Sequence, residues 1–268
     1  MKKSFVMYKG TEADRTLDER FMIPAARNAQ RIEFGKLKNI MEEMYSKNKK
    51  PLFILDIGVG NGRLPLLLSR EPVWEKIGLY VGLDNSKIEI SISKGLVKEL
   101  QINDKVKIVY FDATNLDKKD SSEIFKHQYD LVICTYFTAG NFKPDEIKIG
   151  KNGLLMPYPK SCLEPNKKFV KIFKAAYKLL NDKGKIVLSA TYIDTDANRV
   201  RQQDFYKDCG MTVVTSKRDS FTMTREGFWS QRFTKNRVYA YFSWVNKEKI
   251  KFIPLDNYNF ARMIVVSK

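Results

Sequence analysis

The stretch Leu52-Phe-Ile-Leu-Asp56-Ile-Gly58-Val-Gly60-Asn61-Gly62-Arg63 constrains this chain more than any other. An apolar run ends in a carboxylate, and three glycines follow at alternate positions. The run predicts a parallel strand buried on both faces. Glycine reaches left-handed backbone angles and carries no Cβ, so a ligand can lie directly on the turn. The apolar residues Leu64 to Leu68 predict a helix whose free N–H groups face the same place. Strand, glycine turn and helix in this order predict a nucleotide-type cofactor site.

The glycine spacing is G-x-G-x-G rather than the dinucleotide G-x-G-x-x-G, and no Gly-Lys-Ser/Thr follows, which excludes a Walker-type loop. Three further apolar runs end in notable residues. Gly78 to Asp84 is a short strand ending in an acid, one crossover helix beyond Asp56. A carboxylate there can accept ribose hydroxyls, or cap the helix that starts near Ser86. Lys105 to Phe111 leads into Asp112-Ala113, and Tyr129 to Ile133 leads into Cys134-Thr135-Tyr136-Phe137. The last of these also reads as a plain core strand.

Asp56-x-Gly58-x-Gly60-x-Gly62 resembles motif I of class I S-adenosylmethionine (SAM)-dependent methyltransferases, and the strand ends extend the resemblance over about residues 50–190. The resemblance implies that Gly58, Gly60, Asn61 and Gly62 approach the methionine end and ribose of SAM. It implies that Asp56 anchors this region, directly or through water, near the cationic amino-acid end. Asp84, with Asn85, would hold the ribose. Asp112 would accept from the adenine amine, and the Ala113 N–H would reach a ring nitrogen. Cys134 and Thr135 resemble motif IV, which borders cofactor and substrate. The segment Leu179-Leu-Asn-Asp-Lys-Gly-Lys185 before an apolar strand is similar to the fifth-strand region of the same family.

Alternating strands and helices predict an α/β fold with a parallel sheet covered on both faces and ligands beyond the strands' carboxyl ends. The resemblance sharpens this to a three-layer, doubly wound, mostly parallel seven-stranded sheet with an antiparallel last strand, plus an N-terminal helical arm. The chain of 268 residues suits one domain over 1–268, with an arm or lid over 1–50 and a core with substrate-covering insertions over 51–268.

Along the chain, Ile32, Leu37, Ile40, Met41 and Met44 predict an amphipathic helix from Ala25 to Tyr45. Prolines and glycines between Pro144 and Pro165 predict an irregular connection. Helices are expected over Lys168–Leu180 and Asp196–Cys209, and strands over Gly184–Ala190, Met211–Ser216 and Phe260–Ser267. An aromatic cluster over residues 221–246 interrupts the last two strands.

No apolar run approaches the roughly 20 residues that span a bilayer, and no long apolar segment marks a secretory leader. The three cysteines are scattered without metal spacing, so no metal is expected and a cytoplasmic compartment fits. The net charge of +17 raises the question of nucleic acid. The excess is mostly lysine in short separate groups such as Lys118-Lys119 and Lys247-Glu-Lys-Ile-Lys251, which reads as a solvated surface. The Pro-Pro signature of amino-directed base methylation is absent after Val132, where Thr135-Tyr-Phe-Thr stands.

Methyl transfer from a sulfonium depends on holding donor and acceptor in line, and a base is needed only when the acceptor must shed a proton. No catalytic residue is assigned. Tyr136, Asn141 and Trp229 are candidate substrate contacts. Asp194 could meet a basic acceptor or cap the next helix, and Tyr8, Arg15 and Arg20 could belong to a lid. His127, the single histidine, is expected on the surface. The reading is therefore a SAM-dependent methyltransferase acting on an O or N atom of a small molecule. The alternatives are an RNA or DNA methyltransferase and a non-catalytic SAM-binding or partner-binding protein, with NAD-dependent redox chemistry remote.

Overall fold

The computed structural model describes residues 24–118, 122–208, 210–257 and 259–268. Tyr8, Arg15, Arg20 and Cys209 lie outside the described residues. Helix α1 spans Pro24–Asn48. Its proline opens the first turn, where the missing N–H has no intrahelical role, and Lys47 complements the dipole in the last. Leu37, Ile40, Met41 and Met44 are buried at helical spacing, as the periodicity predicts, while Ile32 is only partly buried; Ala29 and Glu33 are buried on the same face.

Strands β1 (Leu52–Ile57), β2 (Ile77–Asp84), β3 (Val106–Tyr110), β4 (Tyr129–Cys134) and β5 (Leu180–Tyr192) form the parallel part of the sheet. Helices α2 (Arg63–Leu68) and α3 (Lys87–Glu99) connect β1 to β2 and β2 to β3. Helix α4 (Lys167–Lys178) precedes β5, and α5 (Asp196–Asp208) follows it. A hairpin of β6 (Phe221–Met223) and β7 (Trp229–Gln231) and helix α6 (Lys235–Tyr241) come next, before β8 (Ile250–Pro254) and β9 (Ala261–Ser267). The seven-stranded sheet has the order β3-β2-β1-β4-β5-β9-β8, with β9 antiparallel to both neighbours.

Alternate residues of each central strand face opposite cores. Ile54, Leu131, Ile133 and Val265 join a cluster under α1 with Leu37 and Met41. Leu55, Val132, Cys134 and Ile264 join one under α4 and α6 with Phe169, Phe173 and Phe242. Register aligns the strand tips: Asp56 pairs with Gly82 and with Ile133, and Asp84 pairs with Tyr110. The acids that end β1 and β2 and the one just past β3 thus stand along one rim.

Two expectations are corrected. Met211–Ser216 is not a sheet strand; it makes only an isolated bridge between Val213 and Thr224. The sheet strand that follows β5 in the chain is instead β8, at the sheet's edge, which overlaps the lysine-rich group read as a solvated surface. β8 is an edge strand with Lys251 exposed and Ile250 buried, so charge and strand pairing coexist there. The residues of the aromatic segment build α6 and the β6–β7 hairpin, whose Phe221 and Trp229 pack with Ile147 and Leu163 in a third cluster. The connection over Pro144–Pro165 is irregular, as read, apart from one bridge between Ile149 and Leu155 and a 3-10 turn.

Candidate functional site

The turn after β1 is made by left-handed glycines: φ is +82° at Gly58, +55° at Gly60 and +85° at Gly62. The N–H groups of Gly58 and Val59 both donate to the Leu83 carbonyl, at 2.8 and 3.0 Å, which folds the turn over β2. A Cβ on Gly58 would stand 2.5 Å from Thr138 Cγ2, and one on Gly62 would stand 3.2 Å from Ser93 Cβ. At Gly60 the nearest atom would be Glu89 Oε2 at 3.8 Å, so that backbone faces open space.

Asp84 ties the turn to the next helix. Its carboxylate accepts the Gly60 N–H at 3.1 Å and the Ser86 N–H at 2.8 Å. Burial raises its pKa, against those hydrogen bonds. The helix cap is Ser86, whose hydroxyl accepts the Glu89 N–H at 3.3 Å, so Asp84 is not the cap of α3. Asp112 is exposed beyond β3 and accepts both the N–H and the hydroxyl of Thr114, at 2.9 and 2.8 Å.

Asp56 is wholly buried and receives the Tyr80 hydroxyl on Oδ2, while Oδ1 has no partner. Burial raises its carboxyl to about 7 against that hydrogen bond, and repulsion from Asp84 and Glu33 adds to the rise. Cys134 lies beside it, fully buried, and burial pushes its thiol well above the ordinary range. Past β4, Tyr136 and Phe137 both take left-handed angles, φ +59° and +63°. Such strain in consecutive non-glycine residues is concentrated at functional sites. Arg63 lies over the Tyr136 ring at 4.5 Å, and Phe137 stacks on Tyr192 at 4.2 Å.

A cavity of about 860 Å³ opens at these strand tips. It is lined by Gly58, Gly60, Asn61, Asp84, Asn85, Asp112, Ala113, Thr135, Tyr136 and Asn141 from the sequence reading. Asn141 ends a 3-10 turn after β4, and its Oδ1 is buried without a partner. Asp56, Gly62, Cys134 and Trp229 do not line the cavity. Asp56 and Cys134 are fully buried, Asp56 against Tyr80 and Cys134 in the cluster under α4 and α6, and Gly62 packs under α3. Trp229 belongs to the hairpin core, its ring 4.2 Å from that of Phe221, because β7 points it into the insertion.

Asp194 is enclosed by Arg199 Nε at 2.9 Å, Arg232 Nε at 3.4 Å and Arg237 Nη1 at 3.2 Å. Burial opposes its ionisation, but the three guanidinium groups outweigh burial and lower its pKa. It is neither a helix cap nor open to an acceptor; it ties the insertion to the end of β5. His127 is half-buried against Glu123 and Phe53 and does not line the cavity. Among the described residues, no group of three or more His, Cys, Asp or Glu side chains could hold a metal ion.

The sequence reading offered the arm as a lid but named none of the residues with which α1 lines the cavity, Gln30, Glu33 and Phe34, nor Arg63 and Thr138 beside them. Glu33 is buried, and burial raises its carboxyl to about 7 against Arg63, the Ser189 hydroxyl and the Tyr136 N–H. The available clue was polar: Gln30 and Glu33 occupy the apolar face of α1, where a solvated side chain has no place.

A family model described as a methyltransferase domain matches residues 48–243. Magnesium protoporphyrin IX methyltransferase from Synechocystis PCC 6803, with bound S-adenosylhomocysteine (SAH), superimposes with a TM-score of 0.55 at 10% identity, covering 98% of this chain and 96% of that one. SAM-bound CalS10, an amino pentose methyltransferase from Micromonospora echinaspora, gives 0.51 at 10% identity over 95% of each chain. An O-methyltransferase family protein from Burkholderia thailandensis gives 0.55 at 9% identity, over 96% of this chain and 59% of that one. Likeness at such identity establishes a shared fold. None of the curated proteins matches the sequence.

Proposed function

The chain belongs to the methyltransferase-domain family, which uses S-adenosylmethionine, and from that premise we propose that it methylates an oxygen or nitrogen atom of a small molecule. The observation that carries this reading is the cavity at the strand tips, with the Gly60 backbone bare and the Asp84 carboxylate beside it.

The residues fit this donor. A side chain at Gly60 would enter the space that the ligand needs, and Glu33 Oε2 is buried in the wall without a partner. The Gly58–Gly62 turn and Asn61 would hold the methionyl end, Asp84 and Asn85 the ribose, and Asp112 with Ala113 the adenine edge. Asp56 and Cys134 would act from behind, through charge and packing. When bound, the donor supplies an electrophilic methyl on a positively charged sulfur. Thr135, Tyr136 and Asn141 border the acceptor side, where a phenol and a carboxamide can orient a nucleophile. Trp229 drops out of that role because its ring is committed to the insertion core.

The volume of about 860 Å³ is in the range of small-molecule sites. The net charge of +17 favours a second reading, a nucleic-acid acceptor. Among the described residues no helix is long and apolar enough to cross a membrane.

Calorimetric titration with SAM and SAH tests the donor. Binding to the wild type and sharply weaker binding to Asp84→Ala support it; absence of binding by the wild type overturns it. Transfer of labelled methyl to RNA, lost steeply with salt, would favour the second reading over a small-molecule acceptor.

A further inference from the structure

Helix α1 presents two polar side chains on the face it packs against the sheet. Gln30 and Glu33 are one turn apart, line the cavity, and are only 2% and 5% exposed. Glu33 Oε1 accepts the Ser189 hydroxyl at 3.1 Å, and the Tyr136 N–H also donates to the carboxylate. Glu33 Oε2 and Gln30 Oε1 have no partner. An unpaired carboxylate oxygen at that depth destabilises the ligand-free fold. The neighbouring inward positions Leu37 and Met41 show that an apolar residue fits this face.

This inference rests on the donor assignment above. We propose that Glu33 reads the charge on the donor's sulfur, attracting the sulfonium of SAM and losing that attraction when the methyl has left. The residue then favours donor over product. It is a positioning and specificity residue supplied by the N-terminal helix.

The surroundings support this. Arg63 at the start of α2 is the cation set against Glu33, and Asp56 on β1 repels it. Asp56 in turn feels Asp84 on β2, and the Cys134 thiol on β4 is neutral. Burial holds Glu33 and Asp56 near 7, so the ligand-free site is partly protonated at neutral pH. A sulfonium supplies a positive charge that lets Glu33 ionise, and its proton passes to the buffer. Methyl transfer leaves a neutral thioether, and a proton returns from the buffer to Glu33. SAM and SAH share the same ammonium and carboxylate, so comparing them isolates the charge on sulfur.

The test is calorimetry at pH 7 in phosphate and in Tris, whose ionisation enthalpies differ, with SAM and with SAH. The wild type is expected to release more protons with SAM than with SAH. Glu33→Gln keeps the shape of the side chain. It is expected to abolish that difference and weaken SAM by about tenfold, while changing SAH by less than about twofold. Equal effects on both ligands, or none on either, overturn the proposal. Should Glu33→Gln not fold, the wild-type measurement decides alone: equal proton release with both ligands overturns it. Failure of the donor assignment looks different, since the wild type would then bind neither ligand.

Discussion

Replacing Gly58 by alanine puts a methyl group where Thr138 already stands, with the new Cβ 2.5 Å from Cγ2. The backbone adds to this, because φ there is +82°. A left-handed angle costs a non-glycine residue about 1–2 kcal/mol. Overpacking a rigid wall adds about 1–3 kcal/mol. Thr138 is poorly placed to retreat: it opens a 3-10 turn, and its N–H donates to the Thr135 carbonyl at 3.1 Å. Gly140, in the same turn, is held against Gln231, where even a Cβ would come within 2.9 Å of the carbonyl oxygen. Gly58→Ala should therefore lose about 2–5 kcal/mol. In a Thr138→Ala background the clashing carbon is gone, so the steric part disappears and the backbone part stays. Urea denaturation of both single variants and the double should give a coupling of about 1–3 kcal/mol. Gly60→Ala is the internal control: its Cβ is clear of protein to 3.8 Å, so it should cost only the backbone part, about 1–2 kcal/mol of stability, while its methyl lowers affinity for SAM. Strict additivity of Gly58→Ala and Thr138→Ala would refute the clash, and a stable Gly58→Ala would refute the backbone argument as well.

Asp84→Asn keeps the volume but replaces one of two accepting oxygens by a donor, so either the Gly60 or the Ser86 N–H loses its partner. SAM affinity should fall by about tenfold or more, measured by calorimetry. Glu33 and Asp56 both have carboxyls raised from 4.5 and 3.8 to about 7 in the folded protein. A raised value means the folded state holds protons that the unfolded state has lost. Their contribution to stability is thus complete below the ordinary carboxylate values and disappears as pH rises to about 7 and beyond. The melting temperature of the ligand-free protein should fall across that window, and Glu33→Gln should melt above the wild type at pH 8; a profile unchanged by the substitution would count against the buried carboxylate. Arg232→Met strips Asp194 of one of its three guanidinium partners and leaves Gln202 and Thr222 without the Nη1 donor. Removing one member of a buried charged set should cost about 3–5 kcal/mol by urea denaturation.

How much could be read without coordinates depended on the kind of pattern. The strands β1, β2, β3 and β4 were legible because each is a short apolar run ended by a polar residue or by glycine. The glycine turn was legible because only glycine accepts that succession of angles. β8 was not: an edge strand with one buried side carries lysines, and its run looks like surface. Met211–Ser216 misled in the opposite direction, because β-branched residues form a strand only where a partner edge is free, and there the one bridge is to Thr224. Trp229 misled because a large aromatic between two strands suits a substrate cap and a packed hairpin equally well. Gln30 and Glu33 were overlooked because the hydrophobic period was read for its apolar members alone; the polar residues on the same stripe carried the clue. The clasp of Arg199, Arg232 and Arg237 around Asp194 brings together residues far apart in sequence, and no local pattern reveals it.

The place of β9 between β5 and β8 has a consequence for synthesis. Among the described residues, every one that lines the cavity falls between Gln30 and Lys168, so a nascent chain that has emerged as far as β5 already holds them all. At that stage the outer edge of β5 is bare, and β8, when it follows, finds no partner because it pairs only with β9. Bare strand edges recruit other chains. The ligand-facing half of the molecule can thus be in place on the ribosome while its opposite flank still needs shielding, and the final strand both seals β5 and captures β8 in one step.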